Sequence, residues 1–531
     1  MSRSFAKALI PGAFAIIASI AVGCDSDDNN NNNQVSILDQ TITALGGLDA
    51  LQAVESIAIE ASGENFDPGQ GVTPEQASKT SGYQSTHIVD MDQQSIRTQW
   101  QLSTQYFFPP RSFEYAEVSQ RDFGFVDGID GHIVVDAQSP MLSTRVETIK
   151  KQERLANPVA LLLTGAKNPA IFKDQGERTE DGTTYAVLTV SDGLQPIDIF
   201  IDPATKLPVK VTTLEDDPVF GDALVEVAYA DWRKVDDIMQ PFSLTYRLAG
   251  STYLTEKRGA ITLNPPAVDY AVPAALQVPR DAALAEWGEL GQAYFRRWHG
   301  IGLPFYFPQG QAMSTEVAPG VYWLTGGSHH SMVIEMSDHL ILAEAPLYEL
   351  RSRALQTTIA TLFPNKPIRY VVATHHHHDH IGGARTFVAD GATLVIPEAI
   401  KGFVDEMLAE PHTVVPDALQ GKTVTPNIMT VTDTLVLDDG VRTVEIRNMP
   451  TDHAGGMLAV WLPGEKIMFV SDMYSPGIAP PGQQAAGEQL MVANELVDFV
   501  EAKNLPVETF VGGHGLQLGT LPELRTLAGR N

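Results

Sequence analysis

The spacing of apolar residues along this chain changes twice, and each change marks a different kind of structure. Between Ser36 and Val54 apolar residues recur at helical spacing (Ile37, Leu38, Ile42, Leu45, Leu48, Leu51), which predicts a helix interrupted at Gly46 and Gly47. Beyond it the period shortens to about two. "SIAIEASG", "SIRTQWQLSTQYFF", "SFEYAEVSQ", "GHIVVDAQ", "TYAVLTV", "IDIFID", "LPVKVTTLE", "LVEVAYADW" and "PFSLTYRL" are predicted strands bounded by Gly, Pro, Asp and Asn, as in an antiparallel meander. A single helix is predicted at 145–165. Residues 265–314 are Pro-rich at both ends around a predicted helix at 280–298, and the domain boundary is placed in this connector. After Thr315 apolar strands ("YWLT", "SMVIEM", "HLILAEAP", "IRYVVAT", "TLVIP") alternate with helical stretches at 349–363, near 382–389 and near 397–409. The expected fold class is therefore α/β: an antiparallel β-rich domain over 36–264, then a layered α/β domain over 315–531.

Composition narrows the partners. With 44% hydrophobic and 19% charged residues in 531, the chain can bury more than one core. A formal charge of −29 repels phosphate backbones and anionic headgroups, so no nucleic acid is expected and a small-molecule substrate is. The oligomeric state is left open. Cys24 is the single cysteine, which excludes a disulfide framework and any thiolate ligand in the folded body. "MSRSFAKALIPGAFAIIASIAVGC" has Arg3 and Lys7 ahead of an apolar run too short for a comfortable membrane span, as in a secretory signal. Its ending "AVGC" resembles the bacterial lipoprotein processing box, with Ala21 where leucine is usual. That resemblance implies a lipid on Cys24, a periplasmic position at the bacterial cell envelope, and membrane contact only through the N-terminal anchor. An ordinary cleaved signal and an uncleaved anchor are the alternatives. Residues 25–35, with "DSDDNNNNNQ", are too polar to fold and read as a tether. The meander beyond it resembles the curved half-barrels of periplasmic lipoprotein-carrier proteins, which hold apolar ligands. A purely structural β-domain is the other reading.

The chemistry concentrates in "YVVATHHHHDHIGG", residues 370–383, which holds five of the fourteen histidines. It follows a buried strand, at the edge where α/β sheets place their sites. His375, His377, Asp379 and His380 stand in a His-x-His-x-Asp-His spacing, and imidazole with carboxylate is a donor set that zinc accepts. Further donors follow downstream: His453 in "PTDHAGG", Asp472 at the end of "KIMFVSD", and His514 in "GGHG". This constellation resembles the metallo-beta-lactamase superfamily over about 315–531. The resemblance implies an αββα sandwich, a first metal on His375, His377 and His453, and a second on Asp379, His380 and His514. It places Asp472 between them and makes Asp379 the residue that orients or deprotonates the attacking water. A register using His376 and His378 is the alternative. His329 and His330 in "GGSHHSM" either overhang the metals or form a plain exposed turn, and His87, His132, His299, His339 and His412 are taken as structural.

Two zinc ions are the expected cofactors, with iron or manganese as alternatives. Such a pair activates a shared water without a protein nucleophile, which suits hydrolysis of an ester, thioester, lactone or related acyl bond. A mononuclear iron oxygenase of the persulfide-oxidising type and a non-catalytic binder of apolar ligands are the other readings. The aromatic connector 296–310 (Trp298, Phe305, Tyr306, Phe307) and the Pro/Gly-rich stretch 474–487 are expected to line the metal cleft, with the N-terminal sheet docked behind them.

Overall fold

A computed structural model describes residues 35–530 except 92–94, 105–110, 130–137, 142 and 279–310. The signal and tether with Cys24, the strand expected at "GHIVVDAQ", the helix expected at 280–298, the aromatic connector, His132 and His299 lie outside the described residues. Among those described, thirteen strands form one antiparallel sheet: β1 (Ser56–Pro68), β2 (Ala77–Asp90), β3 (Ser95–Thr104), β4 (Arg111–Gln120), β5 (Phe123–Ile129), β6 (Gln138–Pro140), β7 (Phe172–Glu180), β8 (Thr183–Val190), β9 (Ile197–Ile201), β10 (Pro208–Asp217), β11 (Gly221–Val235), β12 (Ile238–Leu248) and β13 (Ser251–Leu263). Two up-and-down meanders, β1–β6 and β7–β13, meet where β1 pairs with β13, Ile57 opposite Leu263. Period-two burial holds along β12, where Phe242, Leu244, Tyr246 and Leu248 point inward.

Four helices cover the inward face: α1 (Ile37–Leu45), α2 (Leu48–Gln52), α3 (Ser143–Ala156) and α4 (Pro158–Lys167). Leu45, Val146, Val159 and Leu162 share one core with Val227, Leu244 and Tyr246, so helix side chains fill the concavity in which a carrier would hold its ligand. The break between α1 and α2 needs glycine. Gly46 has φ 135°, and a Cβ there would lie 2.3 Å from the Asp237 carbonyl oxygen. The one helix expected at 145–165 is two, because Pro158 cannot continue α3. Asn157 then caps α4 by accepting from the Ala160 N–H at 3.0 Å.

The remaining strands make two sheets. One is β14 (Met313–Ala318), β15 (Val321–Thr325), β16 (Ser331–Glu335), β17 (Leu340–Ala343), β18 (Ile368–Val372), β19 (Thr393–Pro397) and β20 (Asn427–Val431), in that order, antiparallel up to β17 and parallel after it. The other is β21 (Thr434–Asp438), β22 (Thr443–Asn448), β23 (Leu458–Leu462), β24 (Ile467–Ser471) and β25 (Thr509–Gly512). Ile334, Val372, Val395, Ile446, Val460 and Phe469 interdigitate between them. The outer face of the first sheet packs on α5 (Glu349–Leu362), α7 (Ala384–Ala389) and α8 (Lys401–Ala409), with the short α6 (His378–Ile381) just before α7. The outer face of the second packs on α9 (Gly487–Ala502) and α10 (Leu521–Leu527). Helix, sheet, sheet, helix is the expected αββα sandwich. No helix among the described residues is long and apolar enough to cross a membrane.

Two hairpin turns of the N-terminal sheet reach the sandwich. At the β10–β11 turn Val219 enters the core under α8. Nearby, the Asp222 carboxylate accepts from the backbone N–H groups of Thr413 and Val414, at 2.7 and 2.9 Å. The β1–β2 turn reaches the histidine cluster itself.

Candidate metal centre

Strand β18 is buried at its carboxyl end, Val371 and Val372, and stops just before the cluster, so the chain leaves the sheet there with side chains alternating in direction. His375 and His377 turn inward. His376 and His378 turn the opposite way, toward the β1–β2 turn, and join no ligand-sized group among the described residues. The first turn of α6 then brings Asp379 and His380 inward. The β22–β23 loop delivers His453, the end of β24 Asp472, the end of β25 His514, and the β15–β16 turn His329.

Among the described residues these side chains fall into two sets whose donor atoms lie within 4.8 Å of one another: His375, His377, His453 and Asp472, and His329, Asp379, His380 and His514. Asp472 stands between them. Its Oδ2 lies 3.6 Å from His375 Nε2 and 3.2 Å from His453 Nε2, while Oδ1 lies 3.0 Å from His380 Nε2 and 3.2 Å from His514 Nε2. The turn carrying His329 is no plain exposed turn. His329 is 1% exposed, and its Nε2 lies 2.8 Å from Asp379 Oδ2. His330 is also buried, with Nε2 donating to the Gly515 carbonyl at 2.9 Å.

The outward nitrogens fix the tautomers. His453 Nδ1 meets the Glu488 carboxylate at 2.8 Å, His380 Nδ1 meets Glu344 at 2.9 Å, and His514 Nδ1 meets the Ser328 carbonyl at 3.1 Å. Each partner only accepts, so each outward nitrogen carries a proton, and the neutral ring then has its lone pair on Nε2. The Thr374 hydroxyl donates to Glu344 at 2.6 Å and therefore accepts from His375 Nδ1 at 3.0 Å. His377 is reversed: its Nε2 donates to the Gly71 carbonyl at 3.1 Å, which leaves Nδ1 facing inward. His375 Nε2, His377 Nδ1, His380 Nε2 and His453 Nε2 are buried and find no hydrogen-bond partner among the described residues. Such atoms cost roughly 1–3 kcal/mol each unless something takes the lone pair. Convergent buried imidazole lone pairs with carboxylates between them fit divalent ions of the zinc type.

Burial opposes charge throughout the site, and the carboxylates decide where charge survives. Burial and the neighbouring imidazoles hold His375 and His377 well below the ordinary histidine range. Burial also pulls on His453, but the Asp472 and Glu488 carboxylates beside it push it up to about 9. Asp472 likewise raises His380 and His514 against burial. Asp379 and Asp472 stay well below the usual carboxylate range, because His380 outweighs burial at both. A metal must therefore displace protons from the raised histidines. Its apparent affinity is expected to climb as pH rises from 6 toward about 9, the His453 value, and to level above it. Calorimetric titration at pH 7 in buffers of different ionisation enthalpy checks this: enthalpies that do not depend on the buffer would contradict it.

The sequence reading did not find the outward partners. Glu344 is fully buried and sits at φ 66°, a strained backbone for a non-glycine residue, as is Ser471 at φ 51° beside Asp472. Both hold the centre from below, the Ser471 hydroxyl donating to Glu344. Glu344 ends a core strand in "HLILAEAP", where a buried acid between apolar residues was the available signal. Gln70 was also missed; its Nε2 donates to Asp379 Oδ1 at 2.5 Å. The stretch 474–487 buttresses the His514 loop, with the Pro476 carbonyl accepting from Leu516 N–H at 2.8 Å, and then leads to Glu488. His87 bonds Thr98 and Glu153 inside the N-terminal sheet, His339 sits beside Asp338 and Arg369, and His412 meets Asp216 at 3.2 Å where that sheet docks.

The family model of the metallo-beta-lactamase superfamily matches residues 325–514, a span that holds every residue of both sets. Residues 325–514 belong to the metallo-beta-lactamase superfamily. Its members are typically hydrolases, and a large antiparallel sheet precedes the matched residues in this chain. Similar solved structures include a metallo-beta-lactamase from Pontibacter korlensis, 18% identical over 41% of this chain and 98% of that one, with a TM-score of 0.31. Another is FIM-1 from Pseudomonas aeruginosa in its mono-zinc form, 16% identical over 41% and 94%, with a TM-score of 0.30. Among curated proteins, the 2,4-dinitroanisole O-demethylase subunit alpha of Nocardioides sp. (strain JS1661) is 23% identical over 167 residues, 31% of this chain. That match spans 48% of the relative's own length.

Proposed function

We propose that this protein is a dinuclear metal-dependent hydrolase that cleaves an ester, thioester, lactone or related acyl bond in a small molecule. The observation that carries the reading is Asp472, with one carboxylate oxygen toward each of two complete ligand sets. Two complete sets favour two ions over the single iron of an oxygenase. His375, His377 and His453 would hold one ion and Asp379, His380 and His514 the other, with Asp472 between. Bound there, a pair of divalent ions supplies Lewis acidity that brings the pKa of water toward neutrality and polarises a carbonyl oxygen.

The chain's own groups do the rest. Asp379 is kept ionised and is gripped at both oxygens, by Gln70 Nε2 on Oδ1 and His329 Nε2 on Oδ2, so its carboxylate is oriented to take a proton from the attacking water. Glu344 and Glu488 hold the His380 and His453 rings in the ligating tautomer. The His514 side chain, 28% exposed, is the most open of the candidate ligands, so substrate enters on its side. The lipobox reading of Cys24 supports a lipid-anchored position at the cell envelope.

Stripping the protein with a chelator is expected to abolish turnover in a panel of ester, thioester, lactone, lactam and phosphoester probes, and two equivalents of zinc are expected to restore it. A nitroaryl methyl ether belongs in the panel, because the curated relative is named for O-demethylation of 2,4-dinitroanisole. Turnover of the ether alone would replace the acyl reading. Activity that survives quantitative metal removal would end the metal reading altogether.

A further inference from the structure

The β1–β2 turn, residues 69–76, contacts the centre in a way that docking alone does not explain. The β10–β11 turn docks with Val219 in an apolar core and Asp222 on the backbone of Thr413 and Val414, none of them on a segment that carries a candidate ligand. At the β1–β2 turn the buried residues are polar. Asp67 and Gln70 are 3% and 6% exposed, whereas Val72 at the tip is 42% exposed. The polar groups reach the ligand-bearing segment one by one. Gln70 Nε2 donates to Asp379 Oδ1 at 2.5 Å, and the Gly71 carbonyl accepts from both His376 and His377 Nε2 at 3.1 Å. Asp67 Oδ2 lies 3.2 Å from His378 Nε2, and the Val72 carbonyl accepts from Gly455 N–H at 2.6 Å, two residues from His453.

The turn is braced for this task. Gly69 N–H donates to the Gln76 carbonyl at 2.9 Å, and the Ser78 hydroxyl donates to the Gln70 carbonyl at 2.6 Å. The Gln70 carboxamide points its nitrogen at the carboxylate, the only orientation in which that contact is attractive. Its Oε1 is buried and finds no hydrogen-bond partner among the described residues.

We propose that the β1–β2 turn of the N-terminal sheet is a working part of the metal site, with the Gly71 carbonyl and the Gln70 carboxamide as positioning groups for His377 and Asp379. This rests on the metal-centre reading given above. Gly71 forces the His377 proton onto Nε2 and so presents Nδ1 inward, and Gln70 fixes the Asp379 rotamer. The catalytic site is therefore shared between the sandwich and a sheet that carries none of the ligands.

Cobalt(II) serves as the probe, since its visible d–d bands report the donor set whether or not turnover is measured. Three full-length variants are compared with the wild type: Gln70→Ala, replacement of residues 69–76 by Asn-Gly, and Phe220→Ala in the other docking turn. The pairing of Pro68 with Ala77 lets a two-residue Asn-Gly turn join the strands without a register change. Gln70→Ala and the shortened turn are expected to shift the d–d bands and weaken cobalt and zinc binding by roughly 10–100-fold, the effect of losing an outer partner of a ligand. Gln70→Ala should also lower kcat while leaving KM within about twofold, since the proposed contact is to Asp379. Phe220→Ala should lower the melting temperature and leave the cobalt spectrum unchanged. Wild-type spectra and affinities in Gln70→Ala would overturn the proposal even if the shortened turn failed to fold. A spectral shift as large in Phe220→Ala would also overturn it, showing that docking alone matters. A wild-type protein that takes up no cobalt or zinc would instead overturn the metal-centre reading.

Discussion

Replacing Asp379 with asparagine is expected to leave the protein folded and to lower kcat by about 10²–10⁴-fold, the usual contribution of a positioned proton acceptor. Asparagine has nearly the same shape: its oxygen can still accept from His329 Nε2, and its amide N–H can donate to Gln70 Oε1 once that carboxamide flips, so neither buried partner need be stranded. What disappears is a carboxylate held ionised well below the usual range by His380 and His329. The measurement is steady-state turnover of the best probe alongside metal content and a thermal melt. Near-normal kcat with both metals bound would remove Asp379 from its assigned role. Loss of metal with the fold intact would show that its part is to hold an ion.

The second large effect concerns loading. Asp472 balances imidazoles in both sets, with one oxygen toward each. In Asp472→Asn the raised pKa values of His380, His453 and His514 lose a principal cause, since Asp472 supports all three. The protein as purified is expected to hold one equivalent of metal or less, and turnover to fall by more than about 10³-fold, because activation of a shared water needs both ions. Elemental analysis gives the stoichiometry. Two tightly held equivalents in Asp472→Asn would refute the bridging position of this carboxylate.

The six residues from His375 to His380 disclosed most of the centre, because their His-x-His-x-Asp-His spacing resembles that of the metallo-beta-lactamase superfamily and follows a segment that reads as a strand. Asp472 and His514 were legible because each follows an apolar run that reads as a strand, and His453 because it lies in a turn sequence between two such runs. The layered half of the fold was legible where strands are continuous apolar segments. Strands β2, β7 and β13 were not, since "ASKTSGYQSTHIVD", "FKDQGERTE" and "STYLTEKRGAITL" are polar sequences that the ladders of their neighbours hold extended. The outward partners were hidden differently. "DPGQGVTPEQ" has the composition of any hairpin turn, and nothing in Gln70 or Gly71 says that a tertiary contact more than 300 positions away gives them a role. His376 and His378, which look like surplus copies of the ligands, bind that turn.

The same contact sets an order of assembly. Gly71 meets His376 and His377 across 305 and 306 positions, and the hairpin that carries it also pairs with β13, about 200 residues along the chain. Pairings of such long span form slowly, because chain entropy must be lost before any contact compensates. The sandwich can gather its histidines early, but the ring of His377 is locked only when the first hairpin of the chain arrives. Until then His377 lacks the partner that sets its tautomer, so firm metal capture is expected to report that the first hairpin has docked. A refolding time course should therefore show the first hairpin docking before cobalt acquires its final spectrum, and a chain arrested without its first hairpin would hold metal less firmly.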